Sequence, residues 1–220
     1  MTSPMWKQLD QVENRPARLT PKDRCFYARD YASGKDYSYS EANSLIKNFK
    51  KSVSKRGTSE WHYKEQAIKQ FANELFTWLG DLDEEFFIAA IPPSKRRDDP
   101  EFDSRLDTML TEFERQCQKA HVVRPVERAT SMLPAHISGS HRPTVEEAYE
   151  SLSWTPLSPP PTTLVLVDDV ITAGTTYKAC QRLIEENAPE LKVYGVFWAR
   201  TIWPDDPFAN VEVDLSAFFD

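Results

Sequence analysis

Four consecutive apolar residues, Leu164-Val165-Leu166-Val167, run directly into two acids, Asp168 and Asp169. The stretch Thr172-Ala173-Gly174-Thr175-Thr176 follows almost at once. An unbroken apolar run of this length fits a strand covered on both faces. Beyond it, Tyr177, Cys180, Leu183 and Ile184 recur at helical spacing, which predicts a strand–turn–helix unit ending near Asn187. In open parallel sheets, ligands sit beyond the carboxyl ends of strands, where this turn must lie. The amides of residues 172–176 are expected to point into the turn at the positive end of the helix, a seat for phosphate. Ala173 and Gly174 let a ligand approach the backbone, and the hydroxyls of Thr172, Thr175 and Thr176 add donors. Two carboxylates repel an anion, so they are expected to serve another part of the ligand, a sugar diol or water-bridged Mg²⁺. The alternative, acids that merely cap a turn, leaves the Thr-Ala-Gly-Thr-Thr stretch unexplained. No Gly-Lys-Ser/Thr nucleotide loop and no GxGxxG fingerprint is present.

The rest of the chain alternates in the same manner. Residues 25–31 read as a strand, followed by a turn at Ser33-Gly34-Lys35-Asp36. Helices are expected over 41–54, capped by Ser40, and over 60–79, capped by Ser59. A buried strand is expected over 86–91, ended by Pro92-Pro93, then a helix over 101–119 and a strand over 121–126. Residues 134–162 carry Pro159-Pro160-Pro161 and resist assignment beyond a short helix near 145–152. So long an irregular connection reads as a lid or as a surface excursion. A last strand is expected over 193–199. This order predicts an α/β fold, a mainly parallel sheet flanked by helices, with an N-terminal helical elaboration. The expected division is a mostly helical extension over 1–80 and an α/β domain over 81–220.

Composition narrows the function. The 220 residues carry a net charge of −7, which argues against general attraction to nucleic acid. Basic residues cluster locally at Lys47, Lys50, Lys51, Lys55 and Arg56, and again at Lys95, Arg96 and Arg97. Such clusters are solvated faces unless they border a phosphate site. Three widely spaced cysteines form no CxxC pair, so neither zinc nor a disulfide framework is indicated. No signal peptide or membrane span is visible, and a cytoplasmic protein is expected.

The run from Leu164 to Thr176 resembles the 5-phosphoribosyl-1-pyrophosphate (PRPP) signature of type I phosphoribosyltransferases, in the Asp-Asp-Val-Ile-Thr-Ala-Gly-Thr form of the orotate enzymes. Residues 88–97, Ile-Ala-Ala-Ile-Pro-Pro-Ser-Lys-Arg-Arg, are similar to the competence-associated ComF branch, and 128–142 match it more loosely. That branch's N-terminal cysteine-rich zinc module is absent.

The resemblance implies that Asp168 and Asp169 hold the ribose hydroxyls and position Mg²⁺. It implies that Thr172, Ala173, Gly174, Thr175 and Thr176 cradle the 5-phosphate. Pro92, Pro93, Ser94, Lys95 and Arg96 would meet the pyrophosphate, with a cis peptide expected of the family at this turn. Residues 134–162 lie where the family's mobile loop belongs, with His136, Ser138, His141 and Arg142 as candidates. The base would be chosen by a hood drawn from Trp198, Arg200, Trp203, Phe208, Phe218 and Phe219. Thr172 stands where 6-oxopurine enzymes place a third acid, which disfavours a hypoxanthine or guanine substrate. The implied partners are PRPP and an unidentified base or amine, with a homodimer one assembly open to the chain. Three functions stay open: Mg²⁺-dependent phosphoribosyl transfer, PRPP sensing without turnover, and, least favoured by the charge, a nucleic-acid role.

Overall fold

In the computed structural model, which describes residues 4–9, 16–132 and 143–204, a six-stranded sheet runs through the molecule. Its strands are β1 (Lys7–Gln8), β2 (Arg24–Ala32), β3 (Phe86–Ala90), β4 (Ala120–Val122), β7 (Thr163–Ile171) and β8 (Lys192–Ile202). They lie in the order β1-β2-β8-β7-β3-β4, all parallel except β1. A separate antiparallel pair joins β5 (Val126–Arg128) to β6 (Leu152–Trp154). The helices are α1 (Glu41–Phe49), α2 (Trp61–Leu79), α3 (Arg105–Gln116), α4 (Val145–Glu150) and α5 (Thr175–Asn187). The expected α/β architecture, a mainly parallel sheet flanked by helices, is the one observed.

Alternation along β7 sorts the two cores. Val165 and Val167 face α1, α2 and α3, packing with Phe49, Phe71, Leu75 and Phe113. Leu164 and Leu166 face α5, packing with Tyr177, Cys180 and Ile184 and with Val126 and Leu152 of the small hairpin. Burial on both sides explains why β7 lacks a polar alternation. Residues 24–79 enter this architecture directly. β2 pairs in parallel with β8 over its length, while Phe49 and Phe71 share a core with Trp198.

Local chemistry sets the element ends. Ser40 caps α1, its hydroxyl accepting the Asn43 N–H at 3.0 Å. The buried Asn43 amide pairs with the N–H and C=O of Ala32, fastening α1 to the end of β2. α1 ends at Phe49, short of the expected 54, and a 3₁₀ turn occupies Val53–Lys55. α3 starts late, at Arg105, whose N–H is taken by the Asp103 carboxylate at 3.1 Å. The expected strand over 121–126 is divided, because Pro125 cannot donate to a ladder; its first part is β4 and Val126 opens β5. α4 falls inside the stretch that resists assignment by sequence and carries a full capping box between Thr144 and Glu147.

Gly195 in β8 lies where any Cβ would stand 2.7 Å from Cys25 Sγ and 2.9 Å from the Tyr177 ring. Both neighbours are buried and cannot yield freely. Gly195→Ala is expected to lower unfolding stability by about 1–3 kcal/mol, measured as a fall in the urea midpoint with an unchanged slope.

Candidate functional site

The strand order creates a crevice. β3 continues through α3 to β4 on one side, whereas β7 continues through α5 to β8 on the other. α3 and α5 cover opposite faces of the sheet. The adjacent strands β3 and β7 therefore form a topological switch point, with their carboxyl ends side by side. Ile91 N–H bonds Val167 C=O at 2.8 Å, so the turn after β3 and the acids of β7 leave the same edge. Both loops singled out in the sequence flank this crevice.

The paired acids lie within the strand. β7 continues to Ile171, since Asp168, Val170 and Ile171 still pair with Phe197, Ala199 and Arg200 of β8. Successive strand residues point to opposite faces, so the two carboxylates occupy different environments. Asp169 points toward α1 and α3, with its side chain 3 % exposed. Its Oδ1 meets Lys50 Nζ at 3.0 Å, and its Oδ2 accepts from Arg105 Nε at 2.9 Å and Nη2 at 2.6 Å. Arg105 also reaches Asp103 Oδ2 at 2.9 Å. The buried Lys64 binds that same oxygen and the Lys51 carbonyl, each at 2.6 Å. Burial works to raise the Asp169 pKa, but Lys50 and Arg105 overcome it and hold the carboxyl down at about 2.

Asp168 is half-buried on the opposite face, where Arg128 and Cys180 feel its charge. It accepts the Asp169 N–H at 2.8 Å, and no side-chain cation contacts it among the described residues. Burial, and then repulsion from Asp169, push its pKa up to about 7 against the pull of Lys50 and Arg105.

The turn after β7 is confined to residues 172–174, shorter than the expected 168–174, because the strand runs on to Ile171. Gly174 takes a left-handed conformation, φ 83°, directly before α5. No side chain caps α5 and no acid sits in its first turn. One side of the turn is covered: Arg18 N–H bonds Ala173 C=O at 2.9 Å, and Leu19 packs where a Cβ on residue 174 would be. Thr172 is exposed, its hydroxyl 2.8 Å from that of Thr201, while Thr175 and Thr176 are partly buried.

The turn after β3 is organised by Arg128, 8 % exposed. Its Nε donates to Pro93 C=O at 2.9 Å and its Nη2 to Pro92 C=O at 3.1 Å, while Nη1 reaches Ser151 Oγ. Arg96 N–H and Ser94 C=O are bonded to Ser131 and Met132, the approach to residues 133–142. Lys95 is paired with Glu101 and Asp99, Arg96 with Asp98, and Arg97 with Asp107 and Glu127. A small cleft of about 40 Å³ lies here, lined by Pro92 and Pro93. Its charged lining is Lys95, Arg97, Arg105, Arg124 and Arg128 against Asp103, Asp107 and Glu127. The cis peptide expected of the Pro92-Pro93 turn is not found; the one among the described residues is Ser158-Pro159.

Of the hood candidates, Trp198 is fully buried and stacks on Phe71 at 4.8 Å, which makes it core. Arg200 pairs with Asp30 at 2.6 Å, and Trp203 is exposed. His136, Ser138, His141, Arg142, Phe208, Phe218 and Phe219 lie outside the described residues. Sequence reasoning did not single out Arg105, Arg128, Asp103 or Lys64, and it saw Lys50 only as one of a basic cluster. Their roles come from contacts distant in sequence. An arginine at the start of an amphipathic helix carries no signal that it will meet a β7 acid.

No family model and no curated protein matches this chain. Among solved structures it is similar to an adenine phosphoribosyltransferase, at 17 % identity over 63 % of this chain and 70 % of that one, with a TM-score of 0.35.

The two acids should respond oppositely to pH. The raised pKa of Asp168 means wild-type stability falls as pH rises from about 4 through about 7. Asp168→Asn should therefore be more stable than wild type at pH 8, by on the order of 2 kcal/mol, with the difference vanishing at pH 4. For Asp169 the stabilisation is present above pH 4 and lost as pH falls toward about 2. Asp169→Asn should cost about 3 kcal/mol at neutral pH, since it leaves Arg105 and Lys50 uncompensated. Urea denaturation of both variants across pH measures these differences.

Proposed function

We propose that this chain binds PRPP with Mg²⁺ and transfers its phosphoribosyl group to a nitrogenous acceptor, releasing pyrophosphate. One observation carries the reading. At a topological switch point, a carboxylate that no side-chain cation contacts among the described residues, Asp168, precedes a Thr-Ala-Gly-Thr-Thr turn that opens an uncapped helix. The likeness of residues 164–176 to the PRPP signature supports the same reading.

In this reading the N-terminus of α5 and the hydroxyls of Thr172, Thr175 and Thr176 receive the 5-phosphate, a contact of about 1–2 kcal/mol from the helix dipole alone. Asp168 accepts from the ribose hydroxyls. Asp169, braced by Arg105, fixes the end of β7 so that Asp168 is correctly aimed. The Pro92, Pro93, Ser94, Lys95 and Arg96 turn, held by Arg128, meets the pyrophosphate.

The donor set suits Mg²⁺, a hard cation that takes one or two carboxylates and completes its shell with water and phosphate oxygens. Asp168 would be its first protein ligand, and Asp169 would join only on giving up Lys50. When bound, the ion neutralises charge on the leaving pyrophosphate. As the ribose C1–O bond breaks, its electron pair leaves with the pyrophosphate, while the acceptor nitrogen forms the new bond to C1 and sheds its proton. The protein residues position these partners and stabilise the leaving charge. A cytoplasmic setting belongs to the same reading; among the described residues no helix is long and apolar enough to cross a membrane.

PRPP sensing without turnover is favoured by one observation: Lys95, Arg96 and Arg97 are all engaged by carboxylates, leaving less free charge for a leaving group. Incubation with PRPP, Mg²⁺ and a panel of bases, with pyrophosphate as the readout, separates the two. Base-dependent release is expected, and Asp168→Ala should lower PRPP affinity by roughly 10- to 100-fold. Binding without release would select the sensor, and absence of binding would reject both.

A further inference from the structure

Resting on the PRPP reading, we propose that Lys50 is an exchanging phosphate ligand, pairing with Asp169 in the free protein and with the pyrophosphate of bound substrate. Asp169 carries one negative charge but meets two cations, and these are not equivalent. Arg105 is held twice by Asp169 and again by Asp103, within the protein. Lys50 has its side chain 41 % exposed and, among the described residues, one ion pair, the 3.0 Å contact to Asp169 Oδ1. Its backbone is fixed at the end of α1 by an N–H bond to Ile46 C=O, so an exchange of partners would be made by the side chain alone.

Charge balance points the same way. On the α1–α3 face of β7, among the described residues, Asp103 and Asp169 between them hold three cations in direct ion pairs, Lys50, Lys64 and Arg105. Asp169, shared by two of them, can give up the more exposed one to an incoming anion. Arg105, which shares Asp169 with Lys50, also lines the cleft beside Pro92 and Pro93. A phosphoryl oxygen entering from that side would compete with Asp169 for the ammonium. On exchange, Oδ1 of Asp169 is released to the hydrated metal ion of the bound substrate, while Arg105 keeps Oδ2. The second acid of the motif thus becomes available only when the anion is present.

Titration calorimetry with full-length Lys50→Met and Lys50→Arg tests this, using Mg²⁺-PRPP, inorganic pyrophosphate and ribose 5-phosphate as separate probes. Lys50→Met is expected to weaken PRPP and pyrophosphate by roughly 10-fold or more, to leave ribose 5-phosphate unchanged, and to be largely rescued by Lys50→Arg. Unchanged or tighter PRPP and pyrophosphate binding by Lys50→Met, with only a lower unfolding midpoint, would make Lys50 a structural partner of Asp169. That outcome overturns the exchange while the PRPP reading stands. Wild-type protein that binds none of the three probes would overturn both.

Discussion

The clamp on Asp169 ties the molecule together. One carboxylate at the end of β7 receives Lys50 from the end of α1 and Arg105 from the start of α3. Through Asp103 the network reaches Lys64 of α2. Three helices are thus registered against one strand by ionic contacts that lie largely inside the protein. Removing one partner from such a set is far costlier than the net worth of the set, because the remaining charges lose their compensation. That rigidity fixes the edge of the sheet from which both candidate ligand loops depart.

The same constraint divides two neighbouring acids. Adjacent strand residues face opposite ways, so Asp169 pairs directly with two cations, whereas among the described residues no side-chain cation contacts Asp168. Lys50 and Arg105 hold the first carboxyl well below the usual range, whereas burial and repulsion from its neighbour push the second well above it. A half-buried carboxylate that no side-chain cation contacts among the described residues is suited to take a hydroxyl or a hydrated metal ion. Across the crevice Arg128 plays a complementary part. Its buried guanidinium satisfies the carbonyls of two prolines and thereby sets the turn that faces the acids. Positive charge gathers here in a chain that is acidic overall.

Much of this was legible in the sequence, for definite reasons. The apolar run of β7, the helical spacing of Tyr177, Cys180 and Ile184, and the Gly174 turn are local signals, and the structure places each as read. The parallel α/β sheet follows from their alternation. What could not be read depends on long-range pairing. The extension of β7 past its acids is decided by the ladder to β8, and the division at Pro125 by which strand each half pairs with. Lys50 and Arg105 lie far along the chain from Asp169, in helices whose patterns speak only of their apolar faces. Trp198, an aromatic that could have stacked on a base, is core because Phe71 lies against it.

The division of labour between the two acids is the central claim, and carboxyl-detected NMR titration of the free protein tests it most directly. The account predicts that the Asp168 side chain titrates near pH 7 and the Asp169 side chain near pH 2. Two carboxyls titrating together near pH 4 would contradict it, since neither would then be held by the clamp nor isolated from it.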